Sequence, residues 1–204
     1  MDPELKGLVD DIISKNFSLF NTEQFQQYIY QMVQENYMKG LDIAELEFSM
    51  NFVPRPQSLN FLQKYTFDNM KGMTDELQDK LRKELSQGML NNESTQEIAA
   101  RIRDTFKISI ERAKMITKTE KFRALNAGHY QGAQESGLNL VKEWSAQPEK
   151  DEDNPCPICS EMDGRKVKMD DRFDFSDGES LLLPPKHPHC KCRVLYVQQD
   201  IGGK

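Results

Sequence analysis

The chain has 204 residues, of which 37% are apolar and 29% charged, with mean hydropathy −0.72, net charge −6 and a pI of about 5.2. That balance excludes a disordered composition and a generic DNA-coating protein, and no apolar run is long enough to span a bilayer. A chain this polar is expected to form elongated amphipathic helices with modest cores, completed in part by partner subunits.

The start, MDPELKGLVDD, lacks the basic lead and apolar core of a signal peptide, which predicts a protein made and kept in a cytosol. Residues 4–20 read as a helix with Leu5, Leu8, Ile12 and Ile13 on one face. Asn21 suits the cap of a second helix to about Lys39, with Phe25, Ile29, Met32 and Val33 as its stripe and Gly40 as its stop. Pro54 and Pro56 break helical structure, so 50–57 is expected as a linker. Residues 58–86 are helical again, with an interruption near Gly72 and a restart capped by Thr74.

Ser94-Thr-Gln-Glu97 is a capping-box pattern that opens a helix carrying Ile98, Ile102 and Phe106. Ser109 is expected to begin the longest helix, ending near Gly137. Ala113, Ile116, Ala124 and Ala127 give it a small-residue face that another helix can approach closely. Beyond Gly137 the texture turns β-like: Val141–Gln147, Gly164–Met169 and Arg193–Val197 alternate, and Glu149–Asn154 is an acidic loop. Pro184, Pro185 and Pro188 stiffen the segment between them. The fold class is therefore α+β, a mainly helical elongated body with a small β-rich module at the C-terminal end. The domains expected are 1–56, 57–137 and 138–204.

All four cysteines lie between 156 and 192. Cys156-Pro-Ile-Cys159 is followed, after 27 residues, by His187-Pro-His-Cys-Lys-Cys192. A C-x2-C turn presents two sulfurs to one ion, and His187 and Cys190 have the same spacing, so the pairs can close a tetrahedral site. Clustering in a reducing compartment argues for metal over disulfides or free thiols. The preferred set is Cys156, Cys159, His187 and either Cys190 or Cys192, with four cysteines as the alternative. A closed thiolate-rich site favours structural Zn²⁺, which supplies folding energy to a small module.

From Arg101 to Arg123 the local balance is +5, leaving the rest of the chain at −11. Arg112, Lys114, Lys118, Lys121 and Arg123 are the candidates for phosphate or acidic-partner contact, and Lys114, Lys118 and Lys121 share a face. The bland alternative is a solvated helix paired with Glu111 and Glu120. His129 is read as packed or capping. Asp170, Asp171, Asp174, Asp177 and Glu179 are read as a solvated loop, because the calcium-loop pattern is missing. Trp144 is the single tryptophan and is expected to pack behind the metal module.

Trp144, Cys156-Pro-Ile-Cys159, Met162-Asp-Gly-Arg-Lys-Val167 and Pro184-Pro-Lys-His-Pro-His-Cys-Lys-Cys192 together resemble the phage Mu F-like minor head protein family. Lys191 stands where arginine is usual. Glu97-Ile-Ala-Ala-Arg-Ile102, Ala113–Glu120 and Asn126-Ala-Gly128 resemble its helical part, so the likeness covers about residues 90–197. The resemblance implies a minor capsid, head morphogenesis protein of a tailed virus. Such a protein acts near the portal in procapsid assembly, with portal, major capsid or scaffold proteins as partners, and some members act in genome packaging or delivery. It implies location in the virion head, and in the host cytoplasm during assembly. Some members carry an ADP-ribosyltransferase domain, for which no room is seen here.

No enzyme, membrane or small-molecule substrate is expected. A metal-dependent nuclease is the alternative, but the histidines flank the ligand cysteines and no helix follows Val194–Val197, so general-base parts are lacking. A non-specific DNA-binding adaptor using helix 101–123 is the other alternative. Neither a P-loop nor a nucleophile motif is present.

Overall fold

The computed structural model describes residues 23–91, 93–147 and 156–199. The helix expected over 4–20, the Asn21 cap and the acidic loop 149–154 lie outside the described residues. Among the described residues three long helices lead: α1 (Glu23–Phe48), α2 (Pro56–Leu90) and α3 (Thr95–Glu135). Then follow β1 (Leu140–Ser145), the helical turn α4 (Pro157–Ser160), β2 (Lys166–Lys168), β3 (Phe173–Asp174), β4 (Ser180–Leu181) and β5 (Arg193–Gln198). The described chain is mainly helical with a small strand-containing C-terminal region, in the α+β class.

The described residues fall into two compact units, one made of residues 23–31 with the described part of Gln63–Ile116, the other of Met32–Leu62 with the described residues from Thr117. In the first, Phe25 and Tyr30 pack on the Phe67 ring, at centroid distances of 6.2 and 6.5 Å. Met70, Leu77, Leu81 and Leu85 are buried at helical spacing. The restart near Gly72 does not occur: α2 runs through it, and Thr74 donates its hydroxyl to the Met70 carbonyl (3.1 Å) within one helix. Arg101 bonds Glu84 at 2.9 Å and Glu93 at 2.7 Å. The capping box forms as expected: the Ser94 N–H donates to Glu97 (2.8 Å), and the Glu97 N–H donates to Ser94 Oγ (3.3 Å).

In the second unit, α1 continues past Lys39, and Gly40 is not its stop. A Cβ on Gly40 would lie 2.1 Å from the Leu125 carbonyl oxygen of α3, so glycine is there to let two backbones touch. Gly132 approaches the Ala44 Cβ in the same way, at 2.2 Å from its own notional Cβ. The close approach on α3 is therefore made by Gly128 and Gly132; of the face expected there, Ala124 is buried and Ala127 half-buried. Nor does a new helix begin at Ser109, because α3 runs unbroken from Thr95. The side chains of Ile98, Ile102, Phe106 and Ala113 lie outside the described set. Gly137, at φ +67, ends the helix.

Buried Gln131 ties the linker after α1 to α3. Its Oε1 accepts from Tyr37 Oη (2.5 Å) and the Arg55 N–H (3.0 Å), and its Nε2 donates to the Val53 carbonyl (2.6 Å).

The sheet order is β2-β1-β5, antiparallel throughout, with Lys142 opposite Tyr196 and Trp144 opposite Val194. Period-two alternation turns Leu140, Lys142, Trp144, Val194 and Tyr196 to the buried face. Trp144 is fully buried, with Phe173 and Phe175 edge-on to it at 5.2 Å. Those two rings come from the β3–β4 hairpin, which pairs Phe173 with Leu181. His129 packs between Phe48 and Tyr196 with Nε2 2.6 Å from Glu47 Oε2, the packed role expected of it. Burial depresses its pKa, against the opposing pull of Glu47.

Candidate metal centre

Two short turns supply the cluster. Cys156 is the extended N-cap of α4, with Pro157 at the first helical position, where a missing N–H is harmless. Its Sγ accepts the Cys159 N–H at 3.4 Å, which folds the C-x2-C segment so that both sulfurs face one point. In the second turn the Cys190 N–H donates to the His187 carbonyl (3.1 Å), and His189 adopts a left-handed φ of +66. A cis peptide joins Pro184 to Pro185 just before it.

The structure brings Cys156, Cys159, His187, Cys190 and Cys192 together, as two overlapping triads, Cys156–Cys159–His187 and Cys159–Cys190–Cys192. Within each triad the ligand atoms lie within 4.8 Å of one another. Cys159 belongs to both. Its Sγ is 3.9 Å from Cys190 Sγ and 3.3 Å from His187 Nε2, while Cys156 Sγ is 2.9 Å from that nitrogen. Ligands on a tetrahedral zinc lie about 3.8 Å apart for two sulfurs and about 3.6 Å for sulfur and nitrogen. The Cys159–Cys190 pair already meets that spacing. The two contacts to His187 are shorter than the sulfur–nitrogen spacing. Exposed His189 stands outside the cluster.

His187 is oriented for ligation. Its Nδ1 donates to the Pro188 carbonyl at 2.7 Å, which puts the proton on Nδ1 and leaves the Nε2 lone pair facing the sulfurs. The buried sulfurs cannot all ionise together on their own. The Cys190 thiol is driven down to about 2 by sulfur hydrogen bonds from Cys159 and Cys192, whereas Cys159 is pushed far up as a donor to Cys190 and Cys192. Cys159 pulls Cys192 down, but its bond to Cys190 and burial raise it to about 11. A dication reverses this logic by stabilising several thiolates at once. These residues could hold a metal, and the donor chemistry fits a thiophilic one.

The candidate contact residues of α3 divide by type. Arg112 is ion-paired with Glu76, and Arg123 with Glu120 at 3.1 Å; Lys114, Lys118 and Lys121 are lysines with exposed side chains.

Two features escaped the sequence reading. Lys142 is fully buried, with Nζ donating to the carbonyls of Asp171 (2.7 Å) and Leu182 (2.9 Å) and the Tyr130 and Phe173 rings about it at 5.4 and 5.3 Å. Its parity with Leu140 and Trp144 was the available signal. The acidic segment 170–179 is also no plain solvated loop. Phe173 and Phe175 alternate inward from it, and Asp177 and Glu179 hold Lys186 at 2.7 and 2.5 Å.

The phage Mu protein F-like family matches residues 79–195, which is more than half of the chain. The chain belongs to this family. The matched segment takes in every member of the cysteine–histidine cluster. The minor head protein GP7 of Bacillus phage SPP1 is 24% identical over 179 residues, covering 83% of this chain and 55% of that protein. The NAD(+)–arginine ADP-ribosyltransferase EFV of Enterococcus faecalis (strain ATCC 700802 / V583) is 24% identical over 204 residues, covering 93% of this chain and 40% of that protein. The chain therefore spans about half the length, or less, of the curated relatives it matches. No solved structure matches it. Among the described residues of this phage Mu F-like chain, no helix is long and apolar enough to cross a membrane.

Proposed function

We propose that this chain is a minor head protein of a tailed phage, taken up during head assembly through contacts with portal, major capsid or scaffold subunits, and located in the virion head. One structural Zn²⁺ closes its C-terminal module, residues 138–204. Cys156, Cys159, His187 and Cys190 hold the ion, and Cys192 is the alternative fourth ligand. The reading is carried by the family match over 79–195, a segment that contains the whole cluster. The sulfur-rich set favours zinc over magnesium or calcium, and four protein ligands leave no open position for a catalytic water. The role is therefore structural, not enzymatic, and the activity named for the Enterococcus relative is that protein's own.

DNA contact along 101–123 is a second reading. It is favoured by the exposure of Lys114, Lys118 and Lys121 along one helix. It predicts an affinity that falls steeply with salt.

The test is co-expression with the portal, capsid and scaffold proteins of the same phage, followed by sedimentation and metal analysis of the fractions. The chain is expected in the particle fraction with zinc bound. A soluble chain without affinity for any of them contradicts the assignment.

A further inference from the structure

Among the described residues, strand β5 ends the sheet and its outer side pairs with no other strand. The register pairs Val141 with Val197 and Glu143 with Leu195, and the Gln199 N–H bonds the Asn139 carbonyl at 2.9 Å. In an antiparallel ladder this alternation turns the backbone of Arg193, Leu195 and Val197 toward β1. The N–H and C=O groups of Val194, Tyr196 and Gln198 therefore point away from the sheet. Among the described residues none of these groups has a backbone partner.

Edges of this kind are normally blunted by lysine, proline, a bulge or shortness. Among the described residues this one carries a single charge, Arg193 at its start, and no proline or lysine within its six residues, Arg-Val-Leu-Tyr-Val-Gln. Beside it runs a groove of about 660 Å³, with Ile43, Phe122, Leu125 and Leu195 as apolar lining and Lys191 and Arg193 as cations. Glu47 is the one acidic residue among the described residues of the groove and bonds His129, so the two cations outnumber it. Unmade hydrogen bonds, apolar pockets and surplus positive charge thus converge along one line.

We propose that the open edge of β5 accepts an extended segment of a partner protein as a fourth strand, one that alternates apolar and acidic residues. Main-chain bonds to Val194, Tyr196 and Gln198 supply affinity. The groove and Lys191 and Arg193 select the sequence. The inference rests on the head-assembly reading for the identity of the partner, as a tail or arm of a head subunit.

The experiment is panning of a random dodecamer peptide library on the full zinc-loaded chain, with amide exchange measured on the complexes. Expected are enriched peptides that alternate apolar and acidic residues and slow exchange at Val194, Tyr196 and Gln198. Gln198→Pro removes an outward N–H that bonds no backbone group among the described residues, and methylating one peptide amide removes the matching donor. Each change is expected to weaken binding about tenfold, the worth of one hydrogen bond. The proposal is overturned by no enrichment, by enriched peptides without that alternation, by binding that leaves those amides unprotected, or by amides already protected in the free chain. Panning uses this chain alone, so its failure leaves the head-assembly reading standing. Failure to co-sediment removes that reading without touching the peptide result.

Discussion

Gly40 on α1 and Gly128 on α3 meet where the two helices cross, and neither site has space for a side chain. A Cβ on Gly40 would lie 2.1 Å from the Leu125 carbonyl oxygen, and one on Gly128 2.0 Å from that of Tyr37. Both obstacles are backbone, which cannot rotate aside. Gly40→Ala and Gly128→Ala are therefore each expected to destabilise by about 3 kcal/mol or more, at the upper end of overpacking. Gly72→Ala is the control, because a Cβ there meets nothing. It is expected to stabilise α2 by about 0.5–1 kcal/mol through propensity alone. Thermal denaturation of the three variants checks the crossing, and a neutral Gly40→Ala would remove it.

Lys142 predicts a pH dependence of defined sign. Burial pushes its pKa down to about 8, against the opposing pull of Asp170 and Asp171. The unfolded chain keeps the ordinary value of about 10.4. Between these values the unfolded state binds more protons, so stability rises with pH. The neutral amine still has two N–H groups for the carbonyls of Asp171 and Leu182. From pH 8 to 10 the wild type is expected to gain about 2 kcal/mol relative to Lys142→Met, measured by denaturant titration at each pH. A constant difference between the two proteins would show that the amine does not titrate in the fold.

Trp144 provides an internal reporter for the metal. The only tryptophan of the chain, it is fully buried against Phe173 and Phe175, in the same core as Cys159, Cys190 and Cys192. Chelation of zinc is expected to shift its fluorescence to the red as the module opens, while helical circular dichroism is largely retained. Unchanged emission after the metal is stripped would mean that the core holds without it.

Ligand variants separate the two triads. Cys159 is common to both, so Cys159→Ser is expected to abolish stoichiometric zinc. Cys192→Ser is expected to keep the ion with affinity lowered about tenfold to a hundredfold, as for an outer-shell group. Loss of zinc in Cys192→Ser with retention in His187→Ala would favour the four-cysteine set instead.

Local chemistry was legible in the sequence, and tertiary chemistry much less so. Ser94 and Glu97 announce a helix start because both partners of the box lie within one turn. Gly137 announces a stop because the left-handed residue is itself the cap. The cysteine and histidine pairs are legible because two-residue spacing is a turn that converges two ligands. Gly40 read as a stop because nothing near it in sequence reveals that α3 lies against it. Gly72 read as a break, yet one exposed glycine costs a long helix only about 1 kcal/mol. Lys142 shares its parity with Leu140 and Trp144, but a lysine by itself gives no reason for burial; the carbonyls of Asp171 and Leu182, far along the chain, supply it.

The most direct measurement is the zinc content of the purified full chain, determined by elemental analysis beside amide exchange over residues 156–198. One zinc per chain is predicted, with exchange across this region accelerating when the ion is chelated. A metal-free chain in which these amides remain protected would contradict a module closed by a metal.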